Sequence, residues 1–168
     1  MSIARSPRRA WLALSVFPGW ALGVGCVPEQ PRADDAATVR ALELLERVRS
    51  DYPSWPRPSG WEERVRASGS HGRYVELYVS PEVESALATE GELSAWPRGS
   101  RFVLEGYDDE EDAEPFVLSV LIEDGGTWRW AQYEDEMPVA YGRPTSCIGC
   151  HLAADDLVRS LALPVADD

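Results

Sequence analysis

Residues 100–133 read SRFVLEGYDDEEDAEPFVLSVLIEDGGTWRWAQY. Three runs rich in β-branched and aromatic residues are separated by an acidic stretch and by a glycine pair. Ser100–Tyr107, Pro115–Ile122 and Thr127–Tyr133 have the length and composition of strands. Asp124-Gly125-Gly126 joins the last two. Glycine enters positive φ without steric cost, so this turn predicts an antiparallel hairpin. Upstream, residues 73–80 (RYVELYVS) alternate Val75, Leu77 and Val79 against Glu76 and Tyr78. That period of two predicts a fourth strand with one apolar face.

Helical patterns flank these strands. Residues 36–50 (AATVRALELLERVRS) follow Asp34 and Asp35, either of which suits a helix cap. Their spacing predicts an apolar stripe of Val39, Leu42, Leu45 and Val48. Pro53, Pro56, Pro58 and Gly60 mark a loop. Ser80-Pro81-Glu82 predicts a capped second helix with proline in its first turn, ending near Gly91. Residues 134–145 read as loop, and a last helix is expected from about Ser146, which can cap it. There is no internal repeat. The order predicts an α+β domain: an antiparallel β-sheet with a few flanking helices.

The chain has 168 residues and a formal charge of -13, enough length for one core. Nucleic acid is excluded as a partner, because phosphate binding needs a dense basic surface. All 16 basic residues are arginine. Without lysine there is no Schiff base, no lysine general base and no P-loop. Three cysteines do not make a disulfide scaffold. The acidic run Asp108–Glu114 (DDEEDAE) lacks the glycine and alternation of an EF-hand loop. It reads as a solvated connection, with docking of a basic redox partner as the functional alternative.

Residues 1–25 have the layout of an export signal. Arg5, Arg8 and Arg9 precede the apolar run AWLALSVFPGWALGVG at 10–25. The run is interrupted by Pro18 and Gly19 and is short of the roughly twenty residues a membrane span needs. Leu22-Gly23-Val24-Gly25-Cys26 resembles a bacterial lipobox, although Gly23 replaces the usual branched residue. Lipidation of Cys26 is therefore expected. Val27, rather than aspartate, implies the periplasmic side of the outer membrane by resemblance to the usual sorting rule. Removing 1–25 leaves 13 arginines against 29 acids. The expected map is a signal peptide over 1–25, a tether over 26–34, one domain over 35–164 and a tail over 165–168.

Cys147-Ile148-Gly149-Cys150-His151 is C-x-x-C-H, the attachment sequence for c-type haem. On a helix, positions 147, 150 and 151 are i, i+3 and i+4 and share one face. Two thiols can then bond the two vinyl groups of one haem while His151 ligates the iron. Ala154, Leu157, Val158 and Leu161 are expected to extend that face, with Asp155, Asp156 and Arg159 pointing away. A zinc site would need a fourth ligand, and only Cys26 and His71 remain to supply it. A thioredoxin-like pair would sit after a strand of a parallel unit, which the pattern lacks. For the second axial position the mature chain offers only His71 and Met137. His71 lies in a Gly/Ser loop and Met137 in an acidic one, so the expected state is iron with an open face. Trp128 and Trp130 share one strand face and are expected in the core or at the haem edge.

The stretch from about residue 37 to 163 resembles the cytochrome P-460 and cytochrome c′-beta family. The resemblance is carried by the first helix, YVELYVSPEV, WPRGSRFVLEGY, TWRWAQYE and the ending RPTSCIGCHLAADDLV. It implies a mostly antiparallel sheet, a haem-bearing helix at the C-terminus, one covalent haem c, often a homodimer, and ligands such as nitric oxide. The P-460 branch cross-links a lysine to its haem and oxidises hydroxylamine. Here Leu104 stands at that lysine and Glu105 follows it, so the cross-link is chemically absent. The resemblance thus favours a gas-binding site capped by apolar residues, with Phe102, Leu104, Glu105, Phe116 and Leu118 as candidates for the distal pocket. Whether the chain is also a slow oxidoreductase is left open. A six-coordinate electron carrier is the alternative.

Overall fold

The computed structural model describes residues 36–67, 69–89, 93–152, 157, 158 and 161. The expected signal peptide, the Cys26 lipidation site, the tether, the caps Asp34 and Asp35, and the tail all lie outside the described residues. So do Gly91, Ala154, Asp155, Asp156 and Arg159. Among the described residues no helix is long and apolar enough to cross a membrane.

The fold is α+β. Helix α1 (Ala36–Asp51) leads through a short 3-10 turn to strands β1 (Val65–Arg66) and β2 (Tyr74–Val79). Helix α2 (Pro81–Leu87) follows, then β3 (Arg101–Tyr107), β4 (Val117–Glu123), β5 (Trp128–Glu134) and β6 (Met137–Gly142). Helix α3 (Thr145–His151) comes last. The six strands form one antiparallel sheet in chain order. Short turns join β4 to β5 and β5 to β6, whereas the β2–β3 connection carries α2.

Two strands differ from the sequence expectation. β1 is a two-residue strand paired with β2. β6 occupies part of the expected loop 134–145. Its turn is Asp135-Glu136, both at positive φ without a glycine, so the usual hairpin signal is missing. Pro138 also argues against a strand, yet β6 is an edge, where proline removes no required ladder donor. The Asp124 turn forms as expected. Asp124 N donates to Thr127 O at 2.8 Å, and Gly125 and Gly126 have φ of 64° and 85°.

Each face of the sheet buries its own cluster. On one side α1 supplies Ala41, Leu44, Leu45 and Val48 against Val103, Leu118, Val120 and Tyr133. Val39 and Leu42, expected in this stripe, are exposed. The buried set is Thr38, Ala41, Leu44, Leu45 and Val48. Counting small residues as core-facing moves the stripe around the helix, because Ala41 sits where the helix comes closest. Tyr133 donates its hydroxyl to Ala41 O at 2.7 Å and fixes that approach. On the other side Leu77, Val79, Phe102, Leu121, Trp128 and Trp130 meet Val83 and Ala86 of α2 and Val158. Neither serine acts as the expected cap. Ser80 makes no side-chain cap bond, and its hydroxyl accepts from Arg101 N instead. Pro144, not Ser146, precedes α3. α2 ends at Leu87, short of Gly91.

The α1 side also holds a polar network. Tyr52 and Tyr107 donate to the two carboxylate oxygens of Glu105, at 2.6 and 2.7 Å. Tyr78 donates to Glu76, which is paired with Arg57 and Arg64. Burial first pushes the Tyr52, Tyr78 and Tyr107 phenols up and the carboxylates add to it; at Tyr78 the Arg57 hydrogen bond opposes the rise, which reaches about 12. A phenol raised in the fold stabilises it fully below its unfolded value of about 10 and loses that contribution as pH rises through the folded value. Tyrosinate absorbance in alkaline titration should therefore lag behind that of free tyrosine and then rise together with unfolding. Smooth ionisation of every tyrosine near pH 10 in a folded chain would contradict this.

Candidate functional site

Helix α3 opens with Ile148 N donating to Pro144 O at 3.0 Å. It carries Cys147, Cys150 and His151 at i, i+3 and i+4, and all three line one cavity of about 450 Å³. That size is typical of a small-molecule or cofactor pocket. Val75, Leu77, Phe102, Leu104, Leu121 and Trp130 build its apolar floor from four strands. The arrangement follows from the pleat: residues two apart on each strand share the face that α3 covers.

His151 Nδ1 lies 2.7 Å from Leu157 O. A carbonyl only accepts, so Nδ1 carries the proton, and in the neutral ring Nε2 keeps its lone pair. A second bond that sets the tautomer and orientation is what metal-ligating histidines have. α3 ends at His151, and Leu157, whose carbonyl is the acceptor, has a non-helical φ of 62°. This corrects the expected extension of the helical face. Val158 nevertheless lines the cavity, and Leu157 and Leu161 pack on the same cluster.

Cys147 and Cys150 are not joined in a disulfide. Cys147 is half-buried, and burial pushes its thiol up. It thus lacks the lowered pKa of a redox-active or nucleophilic cysteine. The all-antiparallel sheet likewise omits the parallel unit that a thioredoxin-like pair requires. Among the described residues no group of three or more His, Cys, Asp or Glu could hold a metal ion. Trp130 stands with its ring centre 5.7 Å from that of His151. Its Nε1–H is buried without a hydrogen-bond partner. A donor left so costs about 1–3 kcal/mol.

His71 enters the cavity from the loop between β1 and β2. Its Nδ1 is 2.9 Å from Ser119 Oγ. Its ring centre is 6.5 Å from that of His151, with the planes at 84°. Burial first, and then the charge of His151, push its pKa down. The loop can come this close because Gly106 has no side chain. A Cβ there would overlap His71 O and Val117 Cγ1. Gly72 makes the reciprocal approach, where a Cβ would lie 2.8 Å from Tyr107 N, and its φ is 113°.

The expected distal residues divide between the two faces. Phe102 and Leu104 line the cavity. Glu105 does not: strand alternation turns it towards α1, where it accepts from Tyr52 and Tyr107. Leu118 pairs with Glu105 and follows it to that face. Phe116 precedes β4 and is 38% exposed. The cavity-side partners in β4 are Ser119, opposite Leu104, and Leu121, opposite Phe102. Met137 begins β6, 60% exposed, and is not part of the cavity wall. Ser119 and Gly106 went unnoticed in the sequence. Ser119 did leave a signal, as the lone polar residue inside the apolar run FVLSVLI.

No protein-family model matches the chain, and no curated protein or solved structure is similar enough to count as a match.

Proposed function

We propose that this chain is an exported mono-haem c-type cytochrome of the P-460/c′-beta type that binds nitric oxide or a similar small gas. One observation carries this reading: His151, in one cavity with two cysteines that form no disulfide, has Nδ1–H committed to Leu157 O and Nε2 left for a metal. The residues present fit the group. Cys147 and Cys150 would form the two thioethers and His151 would ligate the iron. When bound, haem c supplies an iron that changes redox state and bonds diatomic gases.

The chain's own residues shape what reaches that site. Phe102, Leu104 and Leu121 offer no donor or charge to an anion, whereas a neutral diatomic loses little in their company. Leu157 O holds the His151 ring in one orientation and raises its basicity. The missing lysine removes the haem cross-link, so hydroxylamine oxidation by that route is disfavoured. A lipid anchor at Cys26 would place the domain on the periplasmic side of the outer membrane. Asp108–Glu114 would face a basic redox partner, and Arg64 ties this loop down by donating to Asp112 O at 2.9 Å.

The second reading is a six-coordinate electron carrier, and the nearness of His71 to His151 favours it. Expression with a haem-attachment system should give a band that keeps its haem stain through denaturing electrophoresis, and a ferrous spectrum altered by nitric oxide or carbon monoxide. A colourless band would end the haem proposal. A stained protein whose spectrum ignores both gases would leave the carrier.

A further inference from the structure

We infer that His71 is a built-in second axial ligand, so that the chain itself closes the iron's sixth position until a gas competes for it. The inference rests on the haem reading above. Two imidazoles that bind one metal ion from opposite sides, each with a bond of about 2.0 Å, bring their ring centres to about 6.3 Å. The His71 and His151 ring centres are 6.5 Å apart. Plain edge-to-face packing of two rings spans that distance too, so ligation also needs the ring nitrogens to be available. In both rings Nδ1 is already engaged, by Ser119 Oγ and by Leu157 O. Leu157 O only accepts, so His151 Nδ1 carries the proton and its Nε2 keeps the lone pair; Ser119 Oγ can accept from His71 Nδ1–H, the tautomer in which His71 Nε2 keeps the lone pair a metal requires.

The loop is also built to hold His71 where it is. Ala67 N donates to Arg73 O at 2.7 Å and Arg73 N to Tyr107 O at 2.9 Å, which ties its C-terminal end to β3. Gly106 yields its side-chain space to the His71 carbonyl. His71 is thus a placed residue of the cavity wall rather than a mobile one on an exposed loop.

Closure by His71 sets how tightly gas is held. A position occupied by an internal ligand about 99% of the time binds a competitor about 100-fold more weakly than an open one. The test uses the holoprotein with absorption and electron paramagnetic resonance spectra of the ferric state. The wild type should be low-spin. His71→Ala should keep its covalent haem, become high-spin, return to low-spin with added imidazole, and bind carbon monoxide about 100-fold more tightly in the ferrous state. Ser119→Ala keeps the ligand and loses its anchor, so it should show a mixture of spin states. A high-spin wild type, or a low-spin spectrum that survives in His71→Ala, would overturn the inference while leaving the haem reading intact. A chain that never acquires haem would overturn the haem reading itself.

Discussion

Replacing Cys147 and Cys150 together with serine will abolish covalent haem and lower the melting temperature of the haem-matured protein by at least about 10 °C. The first effect follows from chemistry, since no other described thiol borders the cavity. The second follows from packing. The sheet face that Phe102, Leu104, Leu121 and Trp130 present to the cavity is apolar, and its volume is about 450 Å³. Leaving a void the size of one aromatic side chain costs about 3–5 kcal/mol. For a domain of this size each kcal/mol moves the melting temperature by roughly 3–5 °C. Differential scanning calorimetry and a haem stain read the two effects separately. His151→Ala isolates the axial role: both thioethers should remain and the stain persist, while the spin state changes. An unchanged melting temperature in the double-serine protein would mean that the cavity is not a cofactor site.

The meeting of three side chains on α3 was legible because it is local. Cys147, Cys150 and His151 fall on one helical face whatever surrounds them, and spacing alone brings them together. The same locality made β2 through β5 readable from alternation and from the Asp124 turn. What escaped depended on contacts far apart in the chain. His71 looked like a loop residue because nothing near it in sequence points to Gly106 or Ser119, respectively 35 and 48 positions away. Glu105 was placed beside Leu104 in the distal pocket although adjacent strand residues face opposite ways, so only one of the two can reach the cavity. On α1, the choice between Val39 and Ala41 for the buried stripe turned on helix–sheet distance, which hydrophobicity does not encode. β6 was hidden by its glycine-free turn and by Pro138, the latter tolerable because the strand is an edge.

The position of His71 makes Gly106 the most sensitive site outside the motif. Gly106→Ala will destabilise the fold and release His71 from the cavity. The added methyl would overlap His71 O and Val117 Cγ1 and come within 2.8 Å of His71 C. Two of those atoms are backbone, which cannot rotate away as a side chain can, so the loop itself has to lift. Overpacking of this kind costs about 1–3 kcal/mol, or on the order of 5–10 °C in melting temperature. Gly149→Ala is the matched control. It lies between the two thiols, nothing is within 4 Å of its Cβ, and alanine in a helix is favoured over glycine by about 1 kcal/mol. It should be neutral or slightly stabilising, with its haem spectrum intact. The two readouts for Gly106→Ala are linked. If His71 is an axial ligand, the melting temperature falls together with the low-spin signal, and added imidazole restores the signal without restoring the stability. If the melting temperature falls while the low-spin spectrum stays whole, the lifted loop is not what supplies the ligand, and the role assigned to His71 fails.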